Sequence, residues 1–583
     1  MKMIYRMFRK TVVAATLALG VLTSSCTDYL TILPADSVVE ENFWQTKDQV
    51  YGMLATSYLK LLSDDAVVRA IIWGELRADN MTYNKDRGGS PKDLVECNIT
   101  DEFEYSNWAV YYQAISNANL VLESAAKVLE RDPDFSEGDL SVVLGEMYAM
   151  RALCHFYLVR TFRDIPLAMH SAKNDAEIPD YVQVHPLVAL NTIMEDLDRA
   201  ETLVRKSGKA DAQNLGRISY NAVLAMKADV NLWRAAFATY YAGLGQNDYA
   251  QPGDAELYYN LCIENCSTVI AKMDEVLEEE DKKNNMQTKR LAWNLMPNKI
   301  DSKIDDNKDQ PSIVYDQIFG EQKNSEESIF ELQVQGSNTS NGQFDGTYEV
   351  YGTQNNANLV VVPNNFIEAA FSGETNRNYS TDDLRLYSYT NYSGGDVTGK
   401  KICVAKYAAK QSPATNWRDD ENWDANWIVY RRSDVLLMWA EALVARQGAS
   451  QEDFDKAYRI VRTINVRSKI DTTDIIDPVL PAQFLLADRE AAWERVRKER
   501  LLELSFEGKR WYDLVRQALI AGKTEPILFV ADKQDASKAG VAKIKMSSID
   551  ALFLPIYITE LRYNKNLKQN PAYDKKDSST QMN

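Results

Sequence analysis

Residues 141–162 read SVVLGEMYAMRALCHFYLVRTF, and their spacing decides the fold class. Apolar side chains recur at Val143, Met147, Met150, Cys154, Tyr157, Leu158 and Phe162, which is the period of an α-helix and not of a strand. Asp164-Ile165-Pro166 ends the run, because proline has no N–H to continue the ladder. Residues 217–237, RISYNAVLAMKADVNLWRAAF, repeat the pattern. In 433–447 Ser433 is placed to cap a helix. There Leu436, Leu437, Ala440, Leu443 and Val444 line one face, and Gly448 closes it.

The three stretches share small residues where a neighbouring helix would cross. Tyr148-Ala149-Met150-Arg151-Ala152 answers Leu224-Ala225-Met226-Lys227-Ala228, and Ala440-Glu441-Ala442 is similar. Each predicts half of a helical hairpin: 108–130 with 141–162, 189–206 with 217–237, and 433–447 with 452–469. The unit resembles a tetratricopeptide repeat of about 34 residues. The signatures stand too far apart for a regular solenoid. The expected fold is mostly α, a scaffold of tetratricopeptide-like hairpins joined to a loop-rich irregular half with short strands.

That irregular half is residues 280–430. Asn, Gly, Ser, Tyr and Trp dominate it, as in NGQFDGTYEVYGTQNNANL and SPATNWRDDENWDANW. Strand-like pieces at 328–334 and 401–407 stand between turn-formers. Loops this long in a folded protein are functional or disordered, and the Trp and Tyr content argues against disorder. The expected organisation is a leader at 1–25, a tether at 26–42, a helical region at 43–279, the irregular ligand-binding region at 280–430 and a helical region at 431–583.

The leader carries Lys2, Arg6, Arg9 and Lys10, the apolar run TVVAATLALGVL at 11–22, then Thr23-Ser24-Ser25 and Cys26. The run is about half of what a bilayer span needs, and marks an export signal. Cys26 after small residues resembles a lipobox, with Thr23 where leucine is usual. Cys26 is expected to carry the lipid that anchors the mature chain to the membrane.

The full chain has 66 basic and 84 acidic residues, a formal charge of −18. A phosphate backbone demands the opposite sign, so nucleic acid is excluded as a partner. After Cys26 no uninterrupted apolar run is long enough to span a bilayer. Five cysteines remain, Cys97, Cys154, Cys262, Cys266 and Cys403, an odd number that reads as buried thiols and not as a disulfide framework.

Catalytic patterns are missing. The three histidines, His155, His170 and His185, have no metal-ligand spacing, and neither a G-x-S-x-G elbow nor a P-loop occurs. The Asp-rich run 301–309 lacks the Gly and terminal Glu of an EF-hand loop. No metal, no cofactor and no enzymatic activity are expected, and a surface glycosidase is the weakest of the readings.

Residues 499–516 read ERLLELSFEGKRWYDLVR. YRRSDVLLMWAEAL (430–443) stands before them and LPIYITELRYNKNLKQNPAY (554–573) after, with WAVYYQAISNANLVLE (108–123) and FRDIPLAM (162–169) upstream. In this order the chain resembles the SusD/RagB family of outer-membrane lipoproteins of Bacteroidetes. It departs from the pattern at Tyr557, where proline is usual, and at Ala572 and Arg163, where glycine is common. Within the first motif Leu501, Leu504 and Phe506 read as core. Glu499, Arg500, Glu503, Glu507, Arg510 and Asp513 read as charge pairs across helix turns, and Gly508 as a point of close packing.

The resemblance implies a cell-surface protein, lipid-anchored and facing outward. It would capture oligosaccharides or polysaccharides, or oligopeptides as in RagB-like relatives. It would then act as the lid of a SusC-like TonB-dependent transporter. A sugar site needs aromatic platforms and hydroxyl-pairing groups. Two regions offer both. One is 73–87, whose analogue lies near the ligand in several relatives, with Asp79, Asn80, Tyr83 and Arg87. The other is the irregular half, with Trp293, Tyr315, Tyr351, Tyr389, Tyr392 and Trp417.

Overall fold

The computed structural model describes residues 43–171, 181–206, 216–285, 290–296, 313–321, 323–334, 346–352, 358–371, 383–392, 400–412, 415–416, 418, 423–468 and 483–574. The leader, Cys26, the tether, the run 301–309 and Trp417 lie outside them.

Helix α1 (Lys47–Leu62) opens on a capping box, in which Thr46 Oγ1 accepts the Gln49 N–H and Gln49 Oε1 accepts the Thr46 N–H. Helix α2 (Asp64–Ile71) widens into a π-helical turn at Ile72–Leu76. Helix α3 (Ala109–Ser124) packs on α4 (Glu137–Phe162), which contains the decisive apolar run and opens on a Ser136–Asp139 capping box. By length and composition α4 could cross a membrane, although polar and charged residues interrupt its apolar run. Most of it is buried against α3 and its neighbours instead, so it is the core helix of the N-terminal half.

Helix α5 (Pro186–Leu203) packs on α4 and on α6 (Tyr220–Gly243), and α6 packs on α7 (Asp254–Asn284). A short helix, α8, covers Asn364–Phe371. Helix α9 (Arg432–Ala445) packs on α7, on α10 (Gln451–Arg467) and on α11 (Arg489–Leu504). Helices α12 (Arg510–Ala521) and α13 (Ala536–Lys545) follow. All three expected hairpins are present, as α3/α4, α5/α6 and α9/α10, and α7 joins the N-terminal stack to the C-terminal one.

Strands are few and short. Antiparallel ladders pair β1 (Thr82–Tyr83) with β5 (Val360–Val361), β2 (Ile165–Pro166) with β3 (Gln183–Val184), β4 (Ser328–Leu332) with β8 (Trp427–Arg431), and β6 (Lys410–Ser412) with β7 (Thr415–Asn416). The expected strand at 401–407 is not one: it forms only isolated bridges through Ile402 and Val404. One hydrophobic cluster runs from Trp44 and Ile71 through Leu332, Tyr351, Val404 and Trp427 to Leu514 and Phe553, so the irregular half shares its core with the helices.

The 499–516 motif sits inside this core, with Leu501, Leu504 and Phe506 buried as read. Its acids do not pair mainly across helix turns. Glu503 Oε1 accepts from Arg431 at 2.8 Å and Arg467 at 2.6 Å, and Oε2 from Arg385 at 3.3 Å and Tyr315 at 2.9 Å. Glu507 is bound by Arg431 and by Lys406 at 2.6 Å, and Glu499 by Arg385 at 2.7 Å. Burial pushes the Glu503 carboxyl up, but Arg467, Arg431 and Arg385 outweigh it and hold it well below the usual range. Spacing of four residues put 499 and 503 on one helix face. It could not show that the face looks inward onto cations from the irregular half.

Candidate functional site

Helices α8, α11 and α12 and the 3-10 segment Glu525–Lys533 enclose a cleft of about 740 Å³ that reaches Asp79. Its wall is built by two cations that tie the segment after the π-helical turn to the C-terminal half. Arg510 donates to both carboxylate oxygens of Asp79, at 2.8 and 3.2 Å. Lys533 Nζ donates to the carbonyls of Leu76 and Met81 at 2.7 Å each, and to that of Ala78. Phe366, Leu501 and Val530 make the apolar floor, and Arg495, Lys498 and Glu494 stand on the α11 side. Phe529 stands at the rim, 42% exposed, and presents a ring to the cleft.

Behind the cleft Glu75 is fully buried. Its Oε1 accepts the Gly508 N–H at 3.1 Å and its Oε2 accepts from Asn80 at 2.7 Å. Burial pushes this carboxyl up to about 7. The approach is close because Gly74 and Gly508 face each other: a Cβ on Gly74 would lie 1.9 Å from the Gly508 carbonyl oxygen.

The cleft combines an exposed aromatic ring with carboxylate, guanidinium and ammonium groups. Such a mixture suits a ligand with apolar C–H faces and a polar rim. Asp79 is the expected site residue that the structure places there, 19% exposed at its side chain. Tyr83 stands at the β1 ladder with its hydroxyl on Glu96 at 3.2 Å, and Arg87 is exposed in the turn that follows.

Five expectations need correction, because burial leaves no surface for a ligand. Asn80 is fully buried on Glu75. The hydroxyls of Tyr315 and Tyr389 donate to the Glu503 carboxylate and carbonyl at 2.9 and 3.0 Å, and that of Tyr351 to the Phe506 carbonyl at 2.9 Å. Tyr392 is buried beside Tyr387. Trp293 is part-exposed but lies away from the cleft lining. Its backbone is left-handed (φ +61°), its ring meets Trp439 edge-on at 5.5 Å and its carbonyl accepts from Arg432, so it pins its loop to the helices. Lys498, Phe529 and Lys533 were not expected at a site, and Arg510 was expected only in a charge pair across helix turns, whereas it pairs with Asp79 on the cleft. The basic run ERVRKER at 494–500 was a visible signal, but nothing in it shows which face meets Phe529.

Comparison with known proteins places this architecture. Residues 388–573 match the SusD family, and residues 32–232 match the family described as starch-binding associating with outer membrane. SusD-like protein P38 of Formosa agariphila is 24% identical over 96% of this chain and 97% of its own length. SusD-like protein P2 of the same organism is 23% identical over 83% of this chain and 86% of its own. A SusD homolog from Bacteroides thetaiotaomicron superposes with a TM-score of 0.64 at 18% identity, covering 91% of this chain and 98% of that one. A SusD superfamily protein from Bacteroides vulgatus gives 0.63 at 17%, covering 91% and 100%. Two family matches in order, at residues 32–232 and 388–573, together with the SusD-like relatives and the shared helical fold, support a SusD/RagB family protein.

Proposed function

We propose that this chain is a lipid-anchored glycan-binding protein of the outer membrane. It takes up oligosaccharides at the cell surface and hands them to a TonB-dependent transporter that it covers. Its family consists of outer-membrane-associated binding proteins of nutrient uptake, and not of enzymes. The observation that carries the reading to residues is the cleft. Phe529 offers a sugar ring an apolar face, while Lys498 and the Asp79–Arg510 pair offer hydrogen bonds to hydroxyls. Site residues are therefore proposed as Asp79, Lys498, Arg510 and Phe529, with Tyr83 and Arg87 on the neighbouring turn.

Affinity electrophoresis against a panel of polysaccharides, followed by calorimetry with oligosaccharides of the retarding polymer, tests this. Phe529→Ala is expected to weaken binding about tenfold, in line with loss of one stacking contact, with little change in Tm. Retention unaltered in both Phe529→Ala and Lys498→Ala would remove the cleft as the site. Binding of oligopeptides and of no glycan would replace the sugar with a peptide cargo.

A further inference from the structure

A second hollow, of about 680 Å³, lies between α5, α6 and α7 and shares no residue with the cleft. Its charges are not all matched. Lys227 is neutralised by Asp198 at 2.8 Å and Glu201 at 2.6 Å. Arg234 has no carboxylate within ion-pair distance among the described residues; its guanidinium lies 3.9 Å from the Tyr258 ring centroid, and its Nε has no hydrogen-bond partner. Asn231, 0% exposed, accepts from Arg234 Nη1 at 2.9 Å through Oδ1. That donor fixes the amide orientation and leaves Asn231 Nδ2 as a buried donor with nothing to donate to. On the opposite helices the exposed carboxylates of Glu195 and Glu264 line the same hollow without an ion-pair partner among the described residues.

An occupant that satisfies this surface must place an acceptor, best a negative one, against Asn231 Nδ2 and Arg234, and a cation between Glu195 and Glu264. A neutral sugar brings hydroxyl acceptors but no negative charge and no cation, and the hollow offers it no platform. Tyr220 is its one lining ring, with the hydroxyl on Glu201 at 3.3 Å and Lys206 Nζ 4.3 Å from the ring centroid. We propose that this groove binds an extended polypeptide segment of mixed charge from a partner protein. A carboxylate or backbone carbonyl of the segment takes the Asn231–Arg234 donors, and a lysine or arginine takes the Glu195–Glu264 acids. Complementarity of this kind fixes register and partner choice more than it adds affinity.

The test uses the detergent-solubilised full chain as bait for a phage library of random 12-residue peptides, counter-selected on Arg234→Gln. Peptides carrying both an acidic and a basic residue are expected to enrich. A synthetic copy of the dominant peptide should bind at least tenfold more weakly to Arg234→Gln and to the exposed double variant Glu195→Lys/Glu264→Lys, whose Tm is expected to stay at the wild-type value. Glycan retention should be unchanged in both. No enrichment over Arg234→Gln, equal binding to the double variant, or equal binding by a peptide of one charge sign overturns the proposal.

Discussion

Glu75 and Gly508, more than 400 residues apart in sequence, are joined by a 3.1 Å hydrogen bond from the Gly508 N–H to Glu75 Oε1, deep inside the protein. The Glu75 carboxyl titrates near 7 there against about 4.5 in an unfolded chain. Between those values the folded protein holds more protons than the unfolded one, so stability falls as pH rises through this window. The group alone accounts for a decline of about 3 kcal/mol from pH 4.5 to 7. Urea unfolding at pH 5, 6 and 7.5 checks this. Glu75→Gln is expected to flatten the decline, since an amide neither gains nor loses a proton in this range, whereas the buried carboxyl does. An equal slope in the variant would contradict the assignment.

Gly508→Ala should be destabilising for two reasons. The residue sits at φ +72°, which costs an L side chain about 1–2 kcal/mol. Its Cβ would also lie 2.9 Å from the Ala70 carbonyl oxygen and 3.1 Å from the Trp427 ring, adding about 1–3 kcal/mol of overpacking. Thermal unfolding of the variant measures the sum. A Tm within a degree of wild type would show that the turn can relax.

Glu503→Gln leaves Arg431, Arg467 and Arg385 facing one another in the core with one anion fewer. Breaking a buried network in this way costs about 3–5 kcal/mol. The expected result is a large loss in denaturant midpoint. Unaltered stability would mean that the neighbouring Glu327, Glu499 and Glu507 suffice.

Arg163 holds a backbone conformation that favours glycine. At φ +66° and ψ −73° it forms a tight turn in which the Asp164 N–H donates to the Phe162 carbonyl at 2.9 Å, the strained hand of the γ-turn. Its side chain is held by Asp164 at 2.7 Å and by Asp550. Arg163→Ala keeps the strain and loses both pairs, whereas Arg163→Gly loses the pairs and relieves the strain. The glycine variant should exceed the alanine variant by about 1 kcal/mol in unfolding free energy. The reverse order would show that the turn stores no strain that glycine can relieve.

The helices were legible because their apolar spacing is local. The run ending at Phe162 named its own stop at Asp164, and the hairpin partners followed from shared small residues. The irregular half was legible only as irregular. Tyr315, Tyr351 and Tyr389 stand among Asn and Gly, which made them read as exposed, yet each hydroxyl finds a partner near 503–506. The cleft was harder still, because Asp79 meets Arg510, and Lys533 meets the carbonyls of Leu76, Ala78 and Met81, only through tertiary contacts. Trp73 and Trp108 read as core neighbours and are buried.

The cage around Glu503 also constrains how a ligand can be caught. Arg385 and Lys406 from the irregular half are anchored on Glu503 and Glu507, the acidic side chains that also hold Arg431 of β8 and Arg467 of α10. Opening the two halves like a clamshell would strip counter-ions from a dry interior, so thermal energy cannot drive it. The proposed cleft on such a body would meet a cargo as a fixed shape. Little conformational entropy would then be lost on capture, and release would depend on what approaches the rim and not on the walls parting.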